Sequence, residues 1–355
     1  MLNDLSKIRK LDTGLVAESI EKLPEQISQV LGEINFIKIP QKFQDITQVV
    51  VNGMGGSNVG AGIIKSVFAD QLKVPINITP GYQVPAYVDK NTLYTLSSYS
   101  GNTEEPLSVL EKVKKRKAEV LGITANAKGA LAKLMKKYSI SGYVMKPKHN
   151  PSGRPNYGLG YSVTGMIALL SRAGLFKLDV KEIKNIITDL RRKNNRLKPE
   201  IETKKNIAKQ LASKLLGKQI VVIAAEFLNG NLRVLRNQLC ENGKNFTSYL
   251  TLPELNHYAL EGLAHPLGKR KNLIFFFIDS NFYHPRIQKR SHLTKEVVQK
   301  NKIKYIKHRL TGKSKLDQSF ELLQLGSWIS YYLAILNKEN PSKISWVDYF
   351  KKKLA

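Results

Sequence analysis

Cysteine is almost absent: a single Cys240 in 355 residues excludes an internal disulfide and any metal site built on several thiolates. Acidic residues are scarce, with 28 Asp and Glu against 57 Lys and Arg and a formal charge of +29. Such a balance raises the question of a polyanionic partner. The distribution answers it, because the densest stretches, 191–218 with ten basic and two acidic residues and 295–315 with eight and one, space their charges between apolar positions at helical intervals. They read as solvated helix faces, no nucleic-acid-binding motif accompanies them, and no nucleic acid is expected as a partner. Long apolar runs are missing too. The most continuous, Leu273-Ile274-Phe275-Phe276-Phe277-Ile278, falls far short of the roughly 20 residues of a spanning helix and reads as a buried strand, so no membrane is expected. The start, Met1-Leu2-Asn3-Asp4-Leu5-Ser6-Lys7, carries an acid and no apolar core, unlike a secretory leader. The expected compartment is the cytoplasm.

What is present suits a globular chain: 42% hydrophobic, 8% aromatic and 24% charged residues supply real cores, and the length predicts about two domains. From Thr47 the chain alternates short β-branched runs with amphipathic segments, the pattern of βα units on a parallel sheet. The predicted strands of the first half are Thr47–Asn52, Ile76–Thr79, Leu93–Ser97, Glu119–Ile123 and Gly142–Met145, with helices near Val59–Phe68, Glu104–Lys115 and Gly129–Tyr138. A Pro- and Gly-rich loop from Lys146 to Gly158 interrupts the series and opens further helices up to Leu216. A second series follows, with strands at Gln219–Ala224, Asn245–Leu250, Asn272–Ile278 and Lys302–Ile306, helices near Leu232–Asn242, Arg286–Gln299 and Gln318–Asn337, and a terminal turn around Trp346–Lys353. The expected fold is α/β with two three-layer domains. Residues 1–150 are expected to form a helical lead-in (1–45) plus a first domain, 151–217 connecting helices, and 218–355 a second domain.

The first strand runs into Gly53-Met54-Gly55-Gly56-Ser57-Asn58-Val59-Gly60, where free backbone N–H groups at a helix start favour an anion. It is not a Walker loop, since no Gly-Lys-Ser/Thr follows, and Asn58 spoils a dinucleotide fingerprint. By itself the loop fits equally the glycine demand of any tight turn. The strand at Leu93–Ser97 also ends in a hydroxyl-rich turn, Ser98-Tyr99-Ser100-Gly101-Asn102-Thr103-Glu104-Glu105. Both turns lie at the carboxyl ends of parallel strands, where ligands bind. There Gly56, Ser57, Ser98, Ser100 and Thr103 offer amide and hydroxyl donors to a phosphate, although Ser100 or Thr103 also suits a helix cap.

A glycine-glycine-serine turn followed about 40 residues later by Ser-Tyr-Ser-Gly-Asn-Thr-Glu-Glu resembles the sugar isomerase (SIS) domain. The segments Leu239-Cys240-Glu241-Asn242-Gly243-Lys244 and Leu252-Pro253-Glu254-Leu255-Asn256-His257, with Gly153-Arg154-Pro155 before Gly158-Leu159-Gly160-Tyr161-Ser162, are similar to the bifunctional phosphoglucose/phosphomannose isomerases, built from two SIS domains. The likeness spans roughly residues 45–353. It implies an aldose–ketose isomerisation of glucose 6-phosphate, and of mannose 6-phosphate, with fructose 6-phosphate through an enediolate. Glu241 is then the general base, with burial expected to raise its pKa. His257 would open the sugar ring, as an imidazole can near neutral pH. Arg154 would stabilise enediolate charge without competing for the proton, and Lys351 stands where the family carries a C-terminal lysine. The resemblance also implies no cofactor, no metal, a sugar-phosphate substrate, and a homodimer whose partner supplies His257. His149, His265, His284, His292 and His308 have no matching context and read as surface or loop residues. The chain departs from the family pattern at Cys240 (Asn expected), Gly243 (Ala) and Tyr258-Ala259 (Asn-Glu). Two other readings stay open at this point: a non-catalytic sugar-phosphate-binding regulator, and another SIS enzyme acting on an amino-sugar phosphate.

Overall fold

A computed structural model describes residues 1–37, 39, 43 and 45–354. The chain divides into two units, residues 22–188 and residues 1–21 with 189–355. In the first unit α3 (Leu23–Glu33) precedes β1 (Gln48–Gly53), α4 (Val59–Val67), β2 (Ile76–Ile78), β3 (Thr92–Ser98), α5 (Glu104–Ser108), α6 (Leu110–Lys115), β4 (Glu119–Thr124), α7 (Ala130–Lys137), β5 (Ser141–Val144), α8 (Leu159–Arg172) and the start of α9 (Val180–Asn194). The other unit holds α1 (Leu5–Leu11), α2 (Val16–Glu21), the end of α9, α10 (Ile207–Leu215), β6 (Gln219–Ala225), α11 (Asn229–Asn237), β7 (Thr247–Leu252), β8 (Leu273–Asp279), α12 (Pro285–Lys300), β9 (Lys304–Arg309), α13 (Lys315–Leu336) and α14 (Ser345–Leu354).

Each unit is organised on one parallel sheet, in the order β2-β1-β3-β4-β5 in the first and β7-β6-β8-β9 in the second. The second order repeats the first one strand short. In both, the chain reverses its direction of travel beside the first strand, which opens a crevice at the carboxyl ends of β1 and β3, and of β6 and β8. Burial dictates which runs become central strands. Every residue of β3 is buried, as are Leu273–Ile278 of β8, and strands buried on both sides in this way need helices on both faces of the sheet.

The core of the second unit is α13, buried from Leu316 to Ile335, which is why it shows no amphipathic stripe. Trp328 stacks on Tyr332 with ring centroids 5.6 Å apart, and its indole N–H donates to Asn194 Oδ1 at 2.8 Å. Aromatic rings of this kind bury about 150–250 Å² each, which at about 25 cal/mol per Å² is roughly 4–6 kcal/mol apiece before entropy. The first 21 residues join this unit through buried polar groups. Tyr331 OH meets Asp12 Oδ2 at 3.1 Å, and the fully buried Lys209 donates to the carbonyls of Leu2, Pro199 and Ile201 at 2.6, 2.7 and 2.8 Å. Three carbonyls match the three donors of one ammonium.

The predicted strands recur within a few residues of their expected bounds. The helix expected over Leu232–Asn242 instead ends at Asn237 and continues as a π-turn, Gln238–Asn242. The expected terminal turn is a full helix, α14. The expected Glu104–Lys115 helix is divided into α5 and α6, and β9 starts two residues late. Residues 38, 40–42 and 44 of the predicted lead-in lie outside the described residues. His308 is not a surface or loop residue: it sits half-buried in β9, where desolvation pushes its imidazole pKa down. Among the described residues no helix is long and apolar enough to cross a membrane.

Candidate active site

Ladder register aligns the two turns of the first unit: Gly53 pairs with Ser97, and Ser98 with Thr124. Asn58, the residue that breaks a dinucleotide fingerprint, closes the glycine turn by donating from Nδ2 to Gly53 O at 2.5 Å. The two turns are tied together. Ser97 Oγ donates to Ser57 O at 2.5 Å, and Tyr99 N donates to Ser57 Oγ at 2.9 Å. Ser98 Oγ lies 2.7 Å from Thr103 Oγ1 and 3.5 Å from Ser100 Oγ, and Ser100 and Thr103 are themselves 3.5 Å apart. Gly101, at φ +74°, makes this return possible, since a Cβ there would lie 3.1 Å from Gly129 Cα. Left-handed backbone of this kind is routine only for glycine. Three hydroxyls thus meet within 2.7–3.5 Å of one another, and Ser57, Ser97, Tyr99, Ile123, Thr124, Met145 and Ser162 line a small cavity in the same unit. Small neutral donors suit an anion that must also leave.

The arginine loop is anchored to the same turn. Asn150 Nδ2 donates to Tyr99 OH at 3.1 Å and to Arg154 O at 2.9 Å, while Ser152 Oγ holds Asn150 Oδ1 at 2.8 Å. Burial pushes the Tyr99 phenol up to about 12, so at neutral pH it remains a protonated hydrogen-bonding group. The structure therefore brings Arg154 and the hydroxyl turn onto one framework. Sequence reasoning missed Asn150 and Tyr99, and the only available signal was an Asn-Pro pair inside an irregular loop.

Glu241 sits half-buried in the π-turn after α11. Such turns leave the α-helical ladder and are frequent at functional sites. Here the turn is fastened by Gln238, whose Nε2 donates to Leu323 O at 3.1 Å and Ser327 Oγ at 2.8 Å, both on α13. The tight winding explains one departure from the family pattern, because a Cβ on Gly243 would stand 2.7 Å from Leu239 O. Cys240 takes the place of the expected Asn with its Sγ accepting from Thr247 N at 3.3 Å. Burial raises the Glu241 pKa, opposed by the charges of Lys244 and Lys351. The Lys351 charge, carried on α14, therefore reaches the carboxylate. His257 ends a 3₁₀ turn, Glu254–His257, and is exposed. Its neighbour Asn256 is pinned to α12 by Nδ2 donating to Thr294 Oγ1 at 2.8 Å.

In the second unit the turn after β9 is filled by a carboxylate. Glu321 accepts from Thr311 N at 2.9 Å, Thr311 Oγ1 at 3.0 Å and Gly312 N at 2.7 Å, and pairs with Lys193 at 2.9 Å. Amides, a hydroxyl and a lysine are the donor set of a bound phosphate, satisfied here by the protein's own carboxylate. Among the described residues no group of three or more His, Cys, Asp or Glu could hold a metal ion.

Comparison with known proteins matches each half of the chain to a family model. Residues 42–142 match the SIS domain family, and 204–354 match the bacterial phospho-glucose isomerase C-terminal SIS domain. A bifunctional phosphoglucose/phosphomannose isomerase of Caldicellulosiruptor bescii is 32% identical over 95% of this chain and 98% of its own length. One from Aquifex aeolicus is 28% identical over 86% of this chain and 90% of its own. Among solved structures, a hypothetical protein from Thermus thermophilus superposes with a TM-score of 0.74 at 16% identity, covering 99% of this chain and 94% of that one. Tagatose-6-phosphate ketose/aldose isomerase from Escherichia coli gives 0.69 at 13%, covering 95% and 93%. At such identities the superpositions establish the fold alone. The sequence relationship goes further, for it runs nearly end to end: this chain belongs to the bifunctional phosphoglucose/phosphomannose isomerase family.

Proposed function

We propose that the protein interconverts glucose 6-phosphate and mannose 6-phosphate with fructose 6-phosphate. The observation that carries the reading is Glu241, a carboxylate partly withdrawn from water beside two lysines. Withdrawal raises its basicity, and the lysines keep it ionised enough to act. Ser57, Ser98, Ser100 and Thr103, with the Gly56 amide, hold the phosphate. His257 exchanges a proton with the ring oxygen as the sugar opens. Glu241 then takes the carbon-bound proton next to the carbonyl, the electron pair of that C–H bond forms the enediolate double bond, the hydroxyl proton passes from one enediolate oxygen to the other, and Glu241 returns its proton to the neighbouring carbon as the second oxygen becomes the new carbonyl. Arg154, and Lys351, stabilise the negative charge that develops on oxygen.

His257 is exposed, and so are Trp346 (81%), Tyr349 (58%) and Phe350 (63%) on α14. An imidazole turned to solvent and an uncovered aromatic helix face fit a second copy of the chain that receives His257 and covers α14. The test is isomerisation of fructose 6-phosphate in EDTA, following both aldose products in parent protein and Glu241→Gln. Both products, abolished in the variant, support the dual isomerase. Glucose 6-phosphate alone narrows the specificity, and absence of turnover with fructose 6-phosphate still bound overturns the enzyme reading in favour of a sugar-phosphate sensor.

A further inference from the structure

Lys244 lies three residues past the base and has been given no role so far. Its backbone is left-handed, at φ +56°, a conformation disfavoured for any residue with a Cβ. Its side chain is half-buried, and desolvation pushes its own pKa down. Both costs are sustained by a specific contact. The ammonium donates to Glu241 O at 2.7 Å and to Lys343 O. Lys343 stands two residues before α14, the helix that carries Lys351. One side chain therefore joins the turn of the base to the root of the helix whose lysine acts on that base. The charged groups around the pair are Lys244 and Lys351 facing Glu241, and Glu241 and Glu339 facing Lys244.

We propose that Lys244 is the positioning residue of the isomerase base: it clamps the Glu241 turn to the segment leading into α14 and keeps a fixed positive charge beside the carboxylate. This rests on Glu241 acting as the base. A neutral residue at 244 leaves the ionised carboxylate less favoured, so more of the enzyme carries it protonated at a given pH. The acid limb of the pH profile of kcat/KM then moves to higher pH. A merely structural role would lower activity at every pH and leave the limb in place.

The experiment compares the full-length parent, Lys244→Gln, Lys244→Arg and Glu241→Gln, using fructose 6-phosphate across the pH range, with inorganic phosphate binding as a check on folding. Lys244→Gln removes the charge and retains an N–H donor. Its acid limb is expected to rise by about one pH unit, the lower end of what a neighbouring charge does to a carboxyl group, while Lys244→Arg keeps the parental limb. Lys244→Met serves as the neutral variant if Lys244→Gln fails the folding check. A neutral variant that binds phosphate and shares the parental limb overturns the proposal. Activity retained in Glu241→Gln overturns the base assignment and this proposal with it, whereas an inactive Glu241→Gln beside an unmoved limb refutes the role of Lys244 alone.

Discussion

Replacing Ser98 with Ala tests the anion turn at its hub. Ser98 Oγ is 2.7 Å from Thr103 Oγ1, accepts from Thr103 N at 3.3 Å and sits 3.5 Å from Ser100 Oγ. A hydrogen bond to a charged partner nets about 1.5–3 kcal/mol. The substitution also frees the Thr103 amide, which can donate to the phosphate in place of the hydroxyl and recover about 1 kcal/mol. The balance, roughly 0.5–2 kcal/mol, corresponds to weakening of about 2- to 30-fold at 1.4 kcal/mol per decade. Because the phosphate is remote from the reacting carbons, the contact is the same in ground and transition state, so KM rises while kcat changes less than about 3-fold. KM mixes binding with turnover, so competitive inhibition by inorganic phosphate is measured alongside. Unchanged KM together with an unchanged inhibition constant would refute the placement of the phosphate at this turn.

Four further outcomes are expected. Glu241→Gln abolishes isomerisation and raises the thermal midpoint at alkaline pH: a carboxyl whose folded pKa is raised contributes stability below its unfolded pKa and loses it as pH rises through the folded value, so parent and variant converge in acid; equal midpoints at pH 8 would contradict this. Glu321→Gln breaks a buried pair and its amide cradle, lowering the unfolding free energy by about 3–5 kcal/mol in urea titration, and a loss below 1 kcal/mol would show the cradle to be dispensable. Lys209→Met leaves three carbonyls without their donor and costs about 2–4 kcal/mol, read the same way. Gly101→Ala imposes a Cβ on left-handed backbone 3.1 Å from Gly129 Cα, costing about 1–2 kcal/mol from the backbone alone, and it raises KM along with the instability because Ser98, Ser100 and Thr103 share that turn.

The hydroxyl turn was legible because its geometry is written in consecutive residues: Ser98 to Thr103 fold back on themselves, and local chain geometry suffices to bring their hydroxyls together. Glu241 was legible as a residue type in a motif, but its surroundings were not. Periodicity continued the helix to Asn242, whereas the chain winds into a π-turn fastened by Gln238 to α13, some 85 residues away in sequence. Lys244 carried no signal at all, since its partner Lys343 lies 99 positions on. The arginine loop shows the same boundary. Its irregularity followed from Pro and Gly content, but its attachment through Asn150 to Tyr99 spans 51 positions.

By itself the amino-acid sequence determined the two parallel sheets, since alternation of apolar strand runs with amphipathic helices admits few other solutions, and it determined the hydroxyl turn after β3. Tertiary structure alone decided which residues are withdrawn from water. It placed the first 21 residues on the second unit through Asp12 and Lys209, filled the turn after β9 with Glu321, and brought the charges of lysines from two separate segments to bear on Glu241. The physical reason is that hydrophobic patterning is encoded locally, whereas desolvation and charge pairing depend on what distant segments bring to the same point.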